Sequence, residues 1–425
     1  MRILIWHGYL LGGTGSNVYT RALARAWSLS GHDVVVLCQE PNPQDFDLGT
    51  ARVVRPALTG PLPVFVLDSY ADASPQLLPE MTDADRDLFV EQNAAAVRAE
   101  GPADLLLVNH VLLGAAVGRA SGLPFVVKAH GSELEFAIRG DAGLAAWASE
   151  CLDEAVAVLA GSEHIVSVLE DVVGSTSAPV LVIPPGVDVD ELVPQDREAA
   201  LAALVAQCRQ DGPNPGGVDQ RRPDEGNAER LQDFLAEPGR TVLYVGKLSE
   251  QKGVSLLIEA LRTVDARAVI VGFGPARAEL EAAAGDRVLF TGALEHRHLA
   301  HLWALADVSV TPSVFPEAFG MVAAEAASCG SLPLVARHSG LAEIAEALEQ
   351  EYPPELAHLC SFERGSATDL AAKLGALLEL SPEQAAEASA AARRTVLKLW
   401  SWQGIGDRIL AVRSGPDPHP DSHPG

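Results

Sequence analysis

The feature that most constrains this chain is a repeated alternation of short apolar runs with helical patterns. The first series reads RILIW, DVVVL, DLLLV, FVVKA, AVAVLA and VLVI, with a helix from about Asn17 to Leu29 after the first run. Near-continuous apolar runs separated by helices predict a parallel sheet covered on both faces. The pattern breaks from Pro184 to about Gly239, where an Ala-rich helix near Arg197 to Arg209 meets the Pro/Gly-rich DGPNPGGVDQRRPDEG and the amphipathic AERLQDFLA. This reads as a linker carrying a helical, partly flexible insertion. A second series follows in TVLYVG, AVIVG, RVLFTG, VSVTPS and LPLVA. The expectation is α/β, with two doubly wound domains facing each other across a cleft. Residues 1–184 form the first, 185–240 the junction and 241–395 the second. A crossover helix over 396–413 belongs to a longer helical pattern from about 382 to 412, and the Pro-rich tail 414–425 is expected to be disordered.

Charge narrows the choice of partners. The formal net charge of −26 disfavours a nucleic-acid surface, and an anionic small ligand would need a local positive pocket. Lysine occurs at only five positions, and Lys247 and Lys252 both fall within KLSEQK. The five cysteines lack C-x-x-C spacing, which predicts reduced, mostly buried thiols. No apolar run is long enough for a membrane span and the N-terminus is a poor signal peptide, so the expected location is cytoplasmic.

Candidate site residues cluster where strands give way to loops. GKLSEQKG (246–253) follows the strand VLYV, placing two cations where parallel sheets bind ligands. Two fixed positive charges would offset the charge developing on a diphosphate leaving group; a solvated loop is the plainer reading. GGTGSN contains Gly13 and Gly15, which would let backbone amides approach an anion, although a plain tight turn fits the same residues. VGFGP offers Gly272 and Gly274 in the same strand-to-helix setting. His130, in KAHGSELEF, follows FVVKA; it is either a structural hydrogen-bonder or a cleft-facing group.

PEAFGMVAAE carries Glu317 and Glu325. One continuous helix would separate them by roughly 80° and 12 Å, too far for a glycosidase carboxylate pair. Pro316 and Gly320 instead predict a helix beginning near Gly320, with Glu317 in the preceding loop. Glu317 and the free amides near Phe319, Gly320 and Met321 would then face a ligand, and Glu325 would emerge from the second helical turn. Metal signals are weak: DFD, DAD and DVD are unsurprising in so acidic a chain, and HRH forms no H-x-x-x-H with a third ligand nearby.

The ordered set GGTGSN, HGSELEF, IPPGVDVDELVP, GKLSEQKG, VGFGP, VLFTGAL and EAFGMVAAE resembles the retaining, nucleotide-sugar-dependent glycosyltransferases of family 4, across residues 1 to about 410. The resemblance implies a GT-B fold of two facing Rossmann-like domains. It also implies metal-independent transfer from a nucleotide-diphosphate sugar, a substrate rather than a cofactor, to a small-molecule, lipid or glycan hydroxyl. By it, Lys252 contacts the donor diphosphate and Lys247 stands where the family usually has arginine, giving a point charge in place of a bidentate fork. Glu325 would hold the ribose, Glu317 the donor sugar and His130 the transferred sugar, with the Gly12 to Gly15 loop near the phosphates and acceptor. A nucleotide-sugar epimerase of the same fold and a non-catalytic sugar-nucleotide sensor are the competing readings.

Overall fold

The structure, a computed structural model, describes residues 1–12, 15–65, 74–212, 214 and 222–412. Gly13, most of the Pro/Gly-rich stretch at 213–221 and the tail from 414 lie outside these residues. The chain divides into two compact units, residues 1–186 with the segment from Trp402, and residues 187–401.

The strands of the first unit are β1 (Arg2–Trp6), β2 (Asp33–Leu37), β3 (Arg52–Val54), β4 (Leu62–Val64), β5 (Pro75–Leu77), β6 (Leu105–Asn109), β7 (Phe125–Lys128), β8 (Ala157–Ala160) and β9 (Val180–Val182). Seven form one parallel sheet in the order β3-β2-β1-β6-β7-β8-β9, and β4 pairs with β5 separately. The alternation within RILIW shows why both faces are covered. Ile3 and Ile5 pack with Val34, Val36 and Trp27, while Leu4 and Trp6 pack with Val35, Leu37 and Phe89 on the other face. Each such fully buried side chain contributes about 1.5–3 kcal/mol.

The helical pattern over 382–412 resolves into two helices, Pro382–Leu399 and Trp402–Val412. The second lies against the helix Gly15–Leu29, with the Trp402 ring edge-on to Tyr19 at 5.4 Å. Gly186 permits this contact, because a Cβ there would lie 2.5 Å from Trp402 Cδ2.

The second unit contains β10 (Thr241–Val245), β11 (Arg267–Val271), β12 (Val288–Phe290), β13 (Val308–Thr311), β14 (Leu332–Ala336) and β15 (Ser361–Phe362). All run parallel in the order β12-β11-β10-β13-β14-β15. The stretch read as a linker supplies this unit with the helices Arg197–Cys208 and Asn227–Ala236, which bury Leu204 and Leu231 completely. Two Rossmann-like α/β units with parallel sheets are therefore present, as the apolar alternation predicts.

Candidate functional site

In the second sheet β10 and β13 are neighbours, and the chain continues outward from them in opposite directions. The carboxyl ends of such a pair leave a crevice in which open α/β sheets bind ligands. Lys247 and Lys252 follow β10, and Glu317 follows β13. Their loops are tied together by the Gln251 carbonyl, which accepts from the amides of Val314 (3.0 Å) and Phe315 (3.1 Å). Gly253 makes this approach possible: its φ is +64°, and a Cβ would lie 2.1 Å from the Pro312 carbonyl oxygen.

That backbone contact brings Lys252 Nζ to 2.5 Å from Glu317 Oε1. Ser313 Oγ donates to the same oxygen at 2.5 Å. The Glu317 amide donates to Ser339 Oγ (2.9 Å), and its carbonyl accepts from the Gly340 amide (3.0 Å). With side-chain exposures of 34% and 21%, the ion pair adds little stability and matters for where it holds its charges. Lys247 is exposed, and no described side chain pairs with it. Tyr244 lies beneath this loop and donates to the Lys247 carbonyl at 2.9 Å. Burial raises its phenol pKa far above the usual value, and the Glu317 charge adds to the effect.

Gly272 and Gly274 have a packing role in addition to any ligand role. Their φ values are +144° and +154°, and added Cβ atoms would lie 1.8 Å from the Gly246 oxygen and 2.2 Å from the Leu248 oxygen. The two loops are cross-linked by Leu248 N donating to Phe273 O (2.8 Å) and Ala276 N donating to Leu248 O (3.0 Å). Gly274→Ala is expected to destabilise the second unit by about 2–4 kcal/mol in urea titration; an unchanged midpoint would show that the loops part freely.

The helix after β13 spans Met321–Ser328 and is preceded by Gly320 at φ +119°, so Glu317 does stand in a loop and Glu325 in the second turn. The amides of Phe319, Gly320 and Met321 have no acceptor among the described residues, leaving the positive end of the helix open. The Phe319 side chain is buried edge-on to Trp400 at 5.5 Å, so it is the backbone of this residue that is available. Met321 is partly buried. Glu325 is 6% exposed and is held by His296 Nε2 at 3.1 Å.

His130 belongs to the first unit. Its Nε2 lies 2.8 Å from Asn109 Oδ1, and its amide donates to Glu133 Oε1 at 3.1 Å. The fully buried Glu133 carboxylate also accepts from Val111 N at 2.9 Å. His110, at φ +78°, lies between His7, stacked on it at 5.9 Å, and His130, tilted at 46° with its ring centroid 4.8 Å away. Burial, together with the charges that His110, Lys128 and His7 can carry, drives His130 well below the usual histidine pKa. Burial and His110 lower His7 to about 3. The His7 and His130 rings are therefore neutral at pH 7 and can pair with uncharged groups. His7 and His110 were missed in the sequence, although they follow β1 and β6 as His130 follows β7. Gly15 opens the helix Gly15–Leu29, and a Cβ there would meet nothing within 4 Å.

Among the described residues one trio has metal-ligand proximity, Cys208, Asp211 and His298. His298 and one oxygen of Asp211 are already engaged, whereas Asp211 Oδ2 is buried without a hydrogen-bond partner among the described residues. His298 Nδ1 accepts from the Glu295 amide at 3.1 Å, so Nε2 carries the proton directed at Asp211 Oδ1, 3.0 Å away; Arg297 holds the same oxygen at 2.6 Å. The D-x-D triplets are engaged similarly. Asp47 takes Arg25 and the Gly49 amide, Asp85 belongs to the cap at Thr82, and Asp188 holds the amides of Asp190 and Glu191. All five cysteines are buried and unpaired, and no helix among the described residues is long and apolar enough to cross a membrane.

Residues 14–186 match the glycosyl transferase 4-like domain, and residues 227–395 match glycosyl transferases group 1. A GDP-mannose-dependent alpha-(1-6)-phosphatidylinositol dimannoside mannosyltransferase of Mycobacterium tuberculosis is 42% identical over 27% of this chain and 32% of its own length. The chain spans about a third of the length of the curated relatives it matches. Among solved structures, a glycosyltransferase from Rickettsia africae superposes with a TM-score of 0.68 at 15% identity, covering 97% of each chain. HepE from Anabaena, solved with UDP-glucose, gives a TM-score of 0.66 at 18% identity over 97% of this chain and 99% of its own. The two matched domains and the shared fold show that the chain belongs to the GT-B-fold glycosyltransferase superfamily.

Proposed function

We propose that the protein is a retaining glycosyltransferase that moves a sugar from a nucleotide-diphosphate sugar to an acceptor hydroxyl without a metal ion. The observation that carries this reading is the Lys252–Glu317 pair at the β10/β13 crevice, beside the open amides of residues 319–321. The mechanism assigns Lys247, Lys252 and those amides to the diphosphate, Glu317 to the donor sugar and Glu325 to the ribose. As the bond from the anomeric carbon to phosphate oxygen breaks, its electron pair stays on the phosphate, where the fixed positive groups stabilise it. The acceptor oxygen bonds to the anomeric carbon on the same face, and its proton passes to the departing phosphate oxygen. Neutral His130 is assigned to a hydroxyl of the transferred sugar. Gly13 and Gly15 are proposed near the phosphates, and Gly272 and Gly274 shape the donor loop. Five unpaired thiols support a reducing, cytoplasmic setting.

The test is turnover of a panel of UDP-, GDP- and ADP-sugars, including GDP-mannose and UDP-glucose, with alcohol, glycan and lipid acceptors. Transfer that persists in EDTA and keeps the donor's anomeric configuration is expected. Epimer formation without acceptor would identify an epimerase, and thermal stabilisation without turnover a sensor. If no nucleotide sugar stabilises or reacts, the proposal is wrong.

A further inference from the structure

Glu317 is held at both its peptide and its carboxylate, and the residues that hold it converge on one histidine. His338 Nε2 lies 2.6 Å from the Ser313 carbonyl oxygen. A carbonyl can only accept, so Nε2 carries a proton, and in the tautomer with that single ring proton Nδ1 is bare. Ser339 Oγ, 3.1 Å from Nδ1, therefore donates to it, and a lone pair on Oγ takes the Glu317 amide at 2.9 Å. Ser313 closes the circuit by donating its own hydroxyl to Glu317 Oε1 at 2.5 Å, the oxygen Lys252 also contacts. In that tautomer every donor and acceptor in this loop has a fixed direction.

Ser339 adopts φ +47°, one of only two non-glycine residues with positive φ among those described. A residue bearing a side chain is disfavoured there, and glycine would adopt the conformation more readily. The adjacent Gly340 shows why the backbone is forced: a Cβ on it would lie 2.6 Å from Phe319 Cα. Backbone geometry alone favours glycine at 339 as well; the serine hydroxyl supplies what glycine lacks, the link between His338 and the Glu317 amide.

We infer that His338 and Ser339 are positioning residues that hold the Glu317 carboxylate in register with Lys252 for sugar transfer. The inference rests on the donor-site reading above. It extends that site to two residues that themselves contact neither Lys252 nor the Glu317 carboxylate in the structure.

The test compares Ser339→Gly and Ser339→Ala with wild type, using whichever sugar nucleotide of the panel wild type turns over. Both variants lose the hydroxyl, but only glycine relieves the backbone. Ser339→Gly is expected to keep or raise Tm while kcat and kcat/KM fall together by about tenfold, the signature of an interaction lost in the transition state. Ser339→Ala should show the same kinetic loss with a lower Tm than Ser339→Gly. His338→Leu should approach the kinetics of Ser339→Gly, since it removes the acceptor for the serine proton. Wild-type turnover in Ser339→Gly, or a parallel fall of Tm and kcat, would overturn the positioning role alone. A wild-type protein that turns over no nucleotide sugar would overturn the donor-site reading, and this inference with it.

Discussion

Lys252→Ala is expected to lower kcat by about 10²–10³-fold, the usual loss when one fixed group facing developing transition-state charge is removed. The ammonium has two roles in the proposed mechanism, and they can be separated. It holds Glu317 Oε1 at 2.5 Å, and it faces the crevice where the diphosphate would gain charge. If it served only to hold Glu317, Lys252→Ala and Glu317→Ala would each cause the full loss and the double variant would be no worse. If the lysine also stabilises the leaving group, the double variant should be slower than either single one, yet faster than the product of their effects. The second outcome is expected. Because the pair is partly exposed, neither substitution should move Tm by more than the few degrees typical of a surface ion pair. Steady-state kinetics of the three variants decide the matter, and Lys252→Ala retaining more than a tenth of wild-type kcat would remove the lysine from the mechanism.

What could be read in the sequence follows from how local each cause is. The division of PEAFGMVAAE into loop and helix was legible because Pro316 and Gly320 act on their own backbone, and Gly320 does sit at φ +119°. The direct Lys252–Glu317 contact was not, because it depends on Gly253 passing within a side chain's width of the Pro312 carbonyl, 59 positions later in the chain. Gly272 and Gly274 read in the sequence as room for an anion; the neighbouring carbonyl oxygens, which also require both to lack a side chain, come from a distant loop and leave no local trace. Between 195 and 240 the local patterns show the helices Arg197–Cys208 and Asn227–Ala236, but not that Leu204 and Leu231 on them are fully buried in the second unit, since that depends on packing against distant strands. HRH reads in sequence only as a possible metal motif; in the fold, His296 holds Glu325 and His298 holds Asp211. His338 and Ser339 left no pattern at all, since a positive φ on serine has no signature in composition or spacing.

Lys128→Met is expected to stabilise the protein at pH 6 and to lose that advantage by pH 9.5. Lys128 is 3% exposed at the end of β7, with Nζ donating to the Ile183 carbonyl at 2.8 Å and lying 5.3 Å from the Tyr19 ring centroid. Burial, assisted by the charge of Arg408, lowers its pKa from 10.5 to about 7. The unfolded chain keeps the ordinary value, so between about pH 7 and 10.5 it binds a proton that the folded chain does not. Stability from this group therefore rises with pH through that window, and below it the fold carries a buried ammonium at full cost. The shift corresponds to about 4–5 kcal/mol. Methionine removes that burden at low pH but leaves the Ile183 carbonyl without its donor, a loss of about 1–3 kcal/mol. The expected balance is a net gain of about 1–3 kcal/mol at pH 6 that vanishes or reverses by pH 9.5. Buried thiols such as Cys38 and Cys329, both raised from 9 to about 12, act in the opposite direction as the unfolded chain ionises, but they do so equally in both proteins. Urea unfolding of both proteins at the two pH values isolates the lysine, and a difference that stays constant with pH would show that Lys128 is charged throughout. Since Lys128 is also one of the charges holding His130 neutral, the same substitution should shift the His130 titration upward when followed by NMR.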